Sequence, residues 1–359
     1  MAGNFSERLQ SAWYDNSGWP YLLLPLSLIF FLLSSLRKWI YQSLLQPKPN
    51  AVPVVVVGNI NVGGTGKTPL IITIANYFTR MGLQVGIISR GYGSQAAQFP
   101  LLVTGATDVT NSGDEALLIA KSTRCPVVIC PKRSDALAYL LQQATCDLVL
   151  SDDGLQHYAL AREYEIAVID GARGLGNGLL LPAGPLRETS GRLETVDSVV
   201  VNGEVNSRLN TAAKLPRNYI AMQLKTAAWR RVMDDSEAEL AELSGIEQVH
   251  GVAAIGNPQR FYQTLKTMNV GVIAHSFPDH HPYQLSDIQF DDDLPVVMTA
   301  KDAVKCKSVI QQSYLSQQVQ RRYWYLPVTA QVPEQLFNAI VAQLNLSLPA
   351  PTTTTRINA

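Results

Sequence analysis

The stretch "GNINVGGTGKTP", residues 58 to 69, carries the residue types that cradle a phosphate. A strict P-loop runs Gly, four free positions, then Gly-Lys-Ser/Thr. Here Gly66, Lys67 and Thr68 close that pattern, Asn61 stands at the first glycine position, and Val62, Gly63, Gly64 and Thr65 fill the turn. Glycines let backbone N–H groups converge on an anion, and the lysine adds a charge. The flanks agree. "VPVVVV" (Val52 to Val57) reads as a fully buried parallel strand, being short, continuous and β-branched. "TPLIITIANYFTRMG" reads as a helix with Thr68, Leu70, Ile71, Ile74 and Ala75 on its buried face and Gly82 as its stop. Strand, loop and helix in that order place a phosphate at a helix N-terminus, where orphan N–H groups and the helix dipole favour anions. The loop is expected to bind a nucleoside triphosphate.

Carboxylates and histidines form the remaining sets. "LVLSDDGLQH" ends a strand on Asp152 and Asp153. In P-loop phosphotransferases an aspartate there helps hold Mg²⁺ beside the loop hydroxyl, here Thr68. The competing reading is ordinary Asp-Gly turn chemistry. "NSGDEALL" sets Asp114 and Glu115 at a helix start. Ser112 and Glu115 have the spacing of a capping box, yet helix starts at strand ends also hold substrates in open α/β sheets. Both readings stay open. "SFPDHHPY" gathers Asp279, His280 and His281, a loop where a histidine and a carboxylate can orient one another, without the ligand spacing of a metal site. "GVAAIGNP" lacks the Lys-Ser/Thr ending and reads as a strand-to-helix turn, and Asp291 to Asp293 as a solvated turn.

These residues need a scaffold. "LQVGIIS", "CPVVIC", "CDLVLSD", "YEIAVID" and "DSVVV" read as strands, alternating with the helices "GDEALLIAKST" and "RSDALAYLLQQAT". That rhythm specifies an α/β fold, a mostly parallel sheet with helices on both faces. Gly171 to Glu188, "GARGLGNGLLLPAGPLRE", is too rich in glycine and proline for a regular element, and long irregular loops in compact domains are usually functional. Composition shifts at "GEVNSRLNTAAKLPRN", and a smaller α/β unit is expected from about Tyr219, with "VHGVAA", "LPVVMTAKDAVKC" and "RYWYLPV" supplying strands. The expected division is 1–45 membrane-associated helix, 46–215 P-loop core, 216–345 smaller C-terminal domain and 346–359 tail.

A chain of 359 residues suits two domains. Its 29 basic and 29 acidic residues cancel, so no global field recruits nucleic acid. Cys125, Cys130, Cys146 and Cys306 form no CxxC pair and read as inert thiols of a reducing compartment. From Asn16 to Leu36 no residue is charged, and Trp19, Tyr21, Trp39 and Tyr41 bracket the run as interfacial anchors would. A buried core helix competes, because Pro25 interrupts the stretch. The membrane reading is preferred. Arg37 and Lys38 on its C-terminal side place the rest of the chain in the cytoplasm.

Seven motifs in order, "GNINVGGTGKTP", "SRGYG", "GDE", "SDDGLQH", "LPAGPLRE", "FPDHHPY" and "TAKDAVK", resemble those of the tetraacyldisaccharide 4′-kinases. These are membrane-associated enzymes that phosphorylate the lipid A precursor of Gram-negative bacteria. The resemblance runs from the apolar segment to about residue 335. Asn61 fits this family better than a general P-loop, while Ala300 in "TAKD" departs from a more usual acidic residue. The resemblance implies a P-loop core with a smaller C-terminal domain, ATP and Mg²⁺, and a tetraacylated glucosamine disaccharide 1-phosphate as acceptor. It implies work at the cytoplasmic face of the bacterial inner membrane. By motif, Lys67 would hold the transferring phosphate, and Thr68, Asp152, Asp153 and Glu115 would serve the metal. Asp114, in the first domain, would be the base near His280 in the second. Arg90, Tyr92, Arg187 and Glu188 would line the acceptor side. A rival of another class is a membrane-tethered P-loop ATPase switch acting on a protein partner. Such switches often carry a second lysine early in the loop, where Val62 stands.

Overall fold

The computed structural model describes residues 5–15, 17–205, 215–216, 218–239 and 245–348. The tail "PAPTTTTRINA" and most of the segment of shifting composition lie outside them. The chain forms two compact units. One holds residues up to Arg90, Thr123–Leu224 and the chain from Ala330 onward; the other holds Gly91–Ser122 and Lys225–Thr329.

The first unit is built on β1 (Val54–Gly58), every residue of which is buried. With no solvent face to serve, a continuous valine run is what such a strand requires. Parallel neighbours flank it on both sides, β5 (Leu148–Asp152) and β6 (Tyr164–Asp170). β2 (Val85–Ser89) pairs parallel with β5 and with β4 (Val127–Ile129), and β7 (Ser198–Asn202) extends the other side. β8 (Ile220–Thr226) pairs parallel with β7. The helix after β1 spans Lys67–Arg80 and buries Leu70, Ile71, Ile74, Ala75 and Phe78, with Thr68 only half-buried. Gly82, at φ +89°, follows its end as expected.

The second unit carries its own sheet in the order β11 (Gly271–Ser276), β10 (Gln248–Ala253), β12 (Val296–Thr299), β13 (Tyr323–Leu326), β9 (Arg230–Arg231). All pairings are parallel except the short β9. "GVAAIGNP" is the strand-to-helix turn expected, leading from β10 into helix Pro258–Thr267.

Three boundaries differ from the sequence expectation. Residues 91–122, assigned to the P-loop core, fold with the second unit, whereas β8 and the helix Glu334–Leu344 belong to or begin in the first. "TAKDAVKC" is not a strand but the start of helix Ala300–Gln312. The Thr299 hydroxyl accepts from Asp302 N and donates to its carboxylate at 2.6 Å, a local cap that begins the helix. The Ser112–Glu115 capping box does not form either. Ser112 Oγ donates to Asp108 O, and Gly113, at φ +76°, leads directly into helix Asp114–Ser122.

At the N-terminus, Trp19–Leu44 is one helical stretch of 26 residues, with Pro20 and Pro25 in the first turns of its two leading segments. Proline is tolerated there because no intrahelical N–H bond is lost. Leu22, Leu26, Leu28, Ile29, Leu32, Leu33 and Leu36 each expose more than half of their surface. One polar point is docked. Ser27 Oγ donates to Leu180 O at 2.9 Å and accepts from Ala183 N at 3.0 Å, and Trp13 Nε1 donates to Pro182 O at 3.1 Å. The apolar helix is thereby fastened to the irregular loop 171–188. Ser27→Ala leaves a buried N–H unsatisfied and is expected to cost about 1–3 kcal/mol of stability. Chemical denaturation in detergent measures it; an unchanged midpoint would mean the helix is not docked on the loop.

Candidate active site

The loop after β1 is shaped by two left-handed glycines, Gly63 at φ +111° and Gly66 at φ +94°. A Cβ at Gly66 would stand 2.5 Å from Asn202 Nδ2, so the position admits glycine alone. Asn202, at the end of β7, uses that amide to donate to Thr65 O at 3.0 Å and holds the loop from the neighbouring strand. Asn61 is buried, and its Nδ2 donates to Gly174 O at 3.4 Å. Val62 N donates to Pro185 O at 2.8 Å and Arg187 N to Ile60 O at 2.6 Å. The first part of the loop therefore pairs with the "PAGPLRE" segment, and Asn61 serves that pairing where a general P-loop has glycine.

Register puts Asp152 beside Val57, at the carboxyl ends of adjacent strands. Asp152 is buried, accepts from Ser89 Oγ at 3.0 Å, and through its carbonyl accepts from Arg133 Nη2 at 3.0 Å. Asp153 turns the chain at φ +48° and donates its N–H to Val57 O. Its carboxylate lies 3.6 Å from Lys67 Nζ and 3.2 Å from Arg187 Nη1. Burial pushes the Asp153 carboxyl up, but Lys67 and Arg187 outweigh it and keep the group below the usual range. Lys67, Asp153 and Arg187 are thus brought together around the loop.

The acceptor-side residues divide. Glu188 takes hydrogen bonds from Tyr158 Oη at 2.5 Å and Gln156 Nε2 at 2.8 Å, with Arg192 Nε at 3.4 Å and Lys38 Nζ at 3.8 Å. Its carboxylate is already spoken for by protein donors, and Lys38 links it to the apolar helix. Arg90 is exposed. His157 ends the "SDDGLQH" stretch; burial and the charges of Arg133, Arg162, Arg37 and Arg90 push its imidazole down to about 4. Its Nε2 accepts from Arg133 N at 3.4 Å, which leaves Nδ1 as the donor of a neutral ring. Arg133 carries no motif that sequence reasoning could use.

Asp114 and His280 do not belong to different domains, as expected from sequence; both lie in the second unit, already paired. His280 Nδ1 is 3.1 and 3.0 Å from the two Asp114 oxygens. Asp114 is only 4% exposed at the first turn of its helix. Burial pushes its carboxyl up, but His280, Lys301 and Lys305 hold it below the usual range. Burial pushes His280 down, while Asp114 carries it above its ordinary value. His280 sits in the left-handed region at φ +62°, and Tyr92 covers it with ring centroids 4.6 Å apart. A Cβ at Gly113 would meet Tyr92 O at 2.4 Å, so this glycine sets the approach of the Asp114 helix to the "GYG" turn. Glu115, expected in the metal shell, accepts from Lys301 Nζ at 3.0 Å. Lys301 and Lys305 were visible in "TAKDAVK" only as a motif; their i, i+4 spacing on one helix face was the signal for a shared target.

Among the described residues no cluster of three or more His, Cys, Asp or Glu side chains forms a metal cage. A Mg²⁺ that takes most of its ligands from phosphates and water needs no such cage. The hard oxygens of Thr68, Asp152 and Asp153 at one end of the sheet suit it.

Comparison with known proteins agrees with this geometry. The Tetraacyldisaccharide-1-P 4′-kinase family profile matches residues 19–345. A tetraacyldisaccharide 4′-kinase of Hahella chejuensis is 44% identical over 343 residues, covering 94% of this chain and 96% of the relative. That of Actinobacillus succinogenes is 42% identical over 336 residues, covering 92% and 97%. A crystal structure of LpxK from Aquifex aeolicus in complex with ATP superposes with a TM-score of 0.72 at 25% identity, covering 91% of this chain and 99% of that one. The ATPase-switch reading is not favoured, and the chain belongs to the tetraacyldisaccharide 4′-kinase family.

Proposed function

We propose that this kinase transfers the γ-phosphoryl group of ATP to the 4′-hydroxyl of a tetraacylated glucosamine disaccharide 1-phosphate. The observation that carries the assignment is the pairing of buried Asp114 with half-buried His280, a carboxylate–imidazole unit that a nucleotide switch has no use for. Lys67 holds the transferring phosphate, with the turn from Asn61 to Thr68 as its cradle. Thr68, Asp152 and Asp153 would hold Mg²⁺, with Glu115 as a further candidate, and the ion would supply positive charge beside the phosphates. Asp114 orients the acceptor hydroxyl and takes its proton. A carboxylate below its ordinary range is a weak base, but in a loose transition state the proton leaves late, so placement matters more than basicity. Arg90 and Tyr92 are assigned to the acceptor, Arg187 beside Asp153 serves the phosphate end of the acceptor side, and neutral His157 offers a donor suited to a sugar hydroxyl. Glu188 acts by fixing the chain that carries Arg187.

The apolar helix gives the enzyme a place to meet a four-chain lipid that hardly leaves the bilayer. Its length and exposed leucines support association with the membrane, and Arg37 and Lys38 favour the cytoplasmic face. Mass spectrometry of lipid products after incubation with ATP and the disaccharide 1-phosphate tests the assignment. ATP turnover that needs no lipid acceptor would count against it.

Lys67→Ala is expected to lower kcat roughly 100- to 1,000-fold, since the charge matters most as charge moves to the leaving phosphate. Steady-state kinetics with purified enzyme reads this directly.

Asp114→Ala and His280→Ala should each lower kcat strongly with ATP affinity intact. As members of one unit, the double variant should be far less impaired than the product of the single losses. Multiplicative losses would sink the pair as a functional unit.

Below a pH of about 6.5 the unfolded chain protonates His157 while the folded chain refuses the proton. Its contribution is intact above that value and is lost as pH falls toward about 4. His157→Asn should therefore lose less Tm than the parent between pH 7.5 and 5; equal losses would mean the imidazole titrates normally in the fold.

A further inference from the structure

Lys301 occupies the centre of the second unit's charged cluster. Its Nζ donates to Glu115 Oε1 at 3.0 Å and Asp279 Oδ1 at 3.1 Å, and lies 3.4 Å from His280 Nε2 and 3.9 Å from Asp114 Oδ2. The three carboxylates keep the ammonium protonated, so it can only donate. A donor at that distance favours a lone pair on the His280 nitrogen it faces, and so opposes the full protonation that Asp114 promotes. The other nitrogen, Nδ1, carries the hydrogen and gives it to Asp114. Lys305 stands behind, 3.8 Å from Asp114 Oδ2 and 3.2 Å from Asp302 Oδ1.

Both lysines rise from the helix Ala300–Gln312, which the Thr299–Asp302 cap starts at the end of β12. Asp302 is fully buried and also accepts from Ala254 N at 3.1 Å, tying the helix start to the residue after β10. The lysines are therefore fixed by two strands of the sheet, while His280 and Asp279 sit in a loop. Asp114, an acceptor only, asks for the hydrogen on Nδ1, while Asp279, 3.9 Å from Nε2, would draw a hydrogen there. The lysine on the rigid element opposes the second and reinforces the first.

We propose that Lys301 is a positioning residue for phosphoryl transfer, selecting the Nδ1–H tautomer of His280 so that the imidazole donates to Asp114 and aims its free oxygen lone pairs at the acceptor hydroxyl. With the opposite tautomer, Nδ1 would present a lone pair to a carboxylate and the pair would come apart. Asp279 and Glu115 hold the ammonium from the sides and keep it on Nε2. The inference rests on the base role given above to Asp114 and His280.

The test has two arms. The first is the ¹⁵N spectrum of His280 in the full-length enzyme without substrate, which reads the tautomer whether or not the pair is catalytic. The Nδ1–H pattern is expected, and Lys301→Met should mix or invert it; an Nε2–H ring in the parent, or an unchanged pattern in the variant, overturns the proposal. The second is kinetic. Lys301→Met should lower kcat roughly a hundredfold with KM for ATP and Tm little changed, and Lys301→Arg, which keeps charge and donors, should recover most of the loss. Full activity in Lys301→Met, or equal failure of the Arg and Met variants with a lowered Tm, shows that the lysine only supports the fold. If Asp114→Ala and His280→Ala prove active while the spectrum still shows the Nδ1–H ring, the reading of the base fails and the tautomer assignment stands.

Discussion

A carboxylate removed from water must be given partners, and Asp114 states that constraint most sharply. An unpaired buried charge costs several kcal/mol, enough to consume much of a domain's stability. The second unit answers with one imidazole and two ammonium groups, delivered by a loop and a helix far apart in sequence. Much of the unit follows. The Thr299–Asp302 cap starts the lysine helix at the right strand, Gly113 lets the Asp114 helix approach Tyr92, and His280 accepts a left-handed backbone to reach the carboxylate. A charge that could have stayed solvated at a helix start is instead held at fixed geometry.

The first unit obeys a different constraint, the convergence of backbone on an anion. Its glycines supply the turn, but the loop is not free-standing. Pairing with residues 185–187 and the reach of Asn61 to Gly174 bind it to the irregular 171–188 segment. That segment in turn holds Ser27 and Trp13 of the N-terminal region and passes into Glu188, which meets Lys38. The apolar helix, the "LPAGPLRE" stretch and the nucleotide loop therefore form one connected body within the first unit. A segment without regular structure is thereby held in place: its glycines and prolines shape contacts at both ends.

Much of this was legible from the residues. The valine run, the alternation of strands and helices, the stop at Gly82 and the turn "GVAAIGNP" are local signals, and local signals survive folding unchanged. Two of the three misses share a physical origin in distant contacts. Whether residues 91–122 pack with the preceding or the following sheet depends on contacts some 150 residues away, which no pattern within the segment records. "TAKDAVKC" was read as strand because the apolar run before it dominated, although Thr299 and Asp302 already spelled a helix cap. Ser112 and Glu115 have the letters of a capping box, but Glu115 is better satisfied by Lys301, a partner from a distant helix. Asp114 and His280 were brought together by the family resemblance alone, and their shared unit was missed.

The charge balance of the second unit's cluster bears on the reaction itself. Asp114, Glu115, Asp279 and Asp302 contribute four negative charges against two from Lys301 and Lys305, so with a neutral His280 the cluster is short of cations. In the base role proposed for Asp114, such a group would accept a proton from a hydroxyl without passing through a net positive state. The same surplus repels a phosphate. The cations Lys67 and Arg187 belong to the first unit, beside the phosphate loop. Under the proposed reaction, proton acceptance and phosphate stabilisation make opposite electrostatic demands; the second unit carries a surplus of carboxylates, and the first carries cations around its loop.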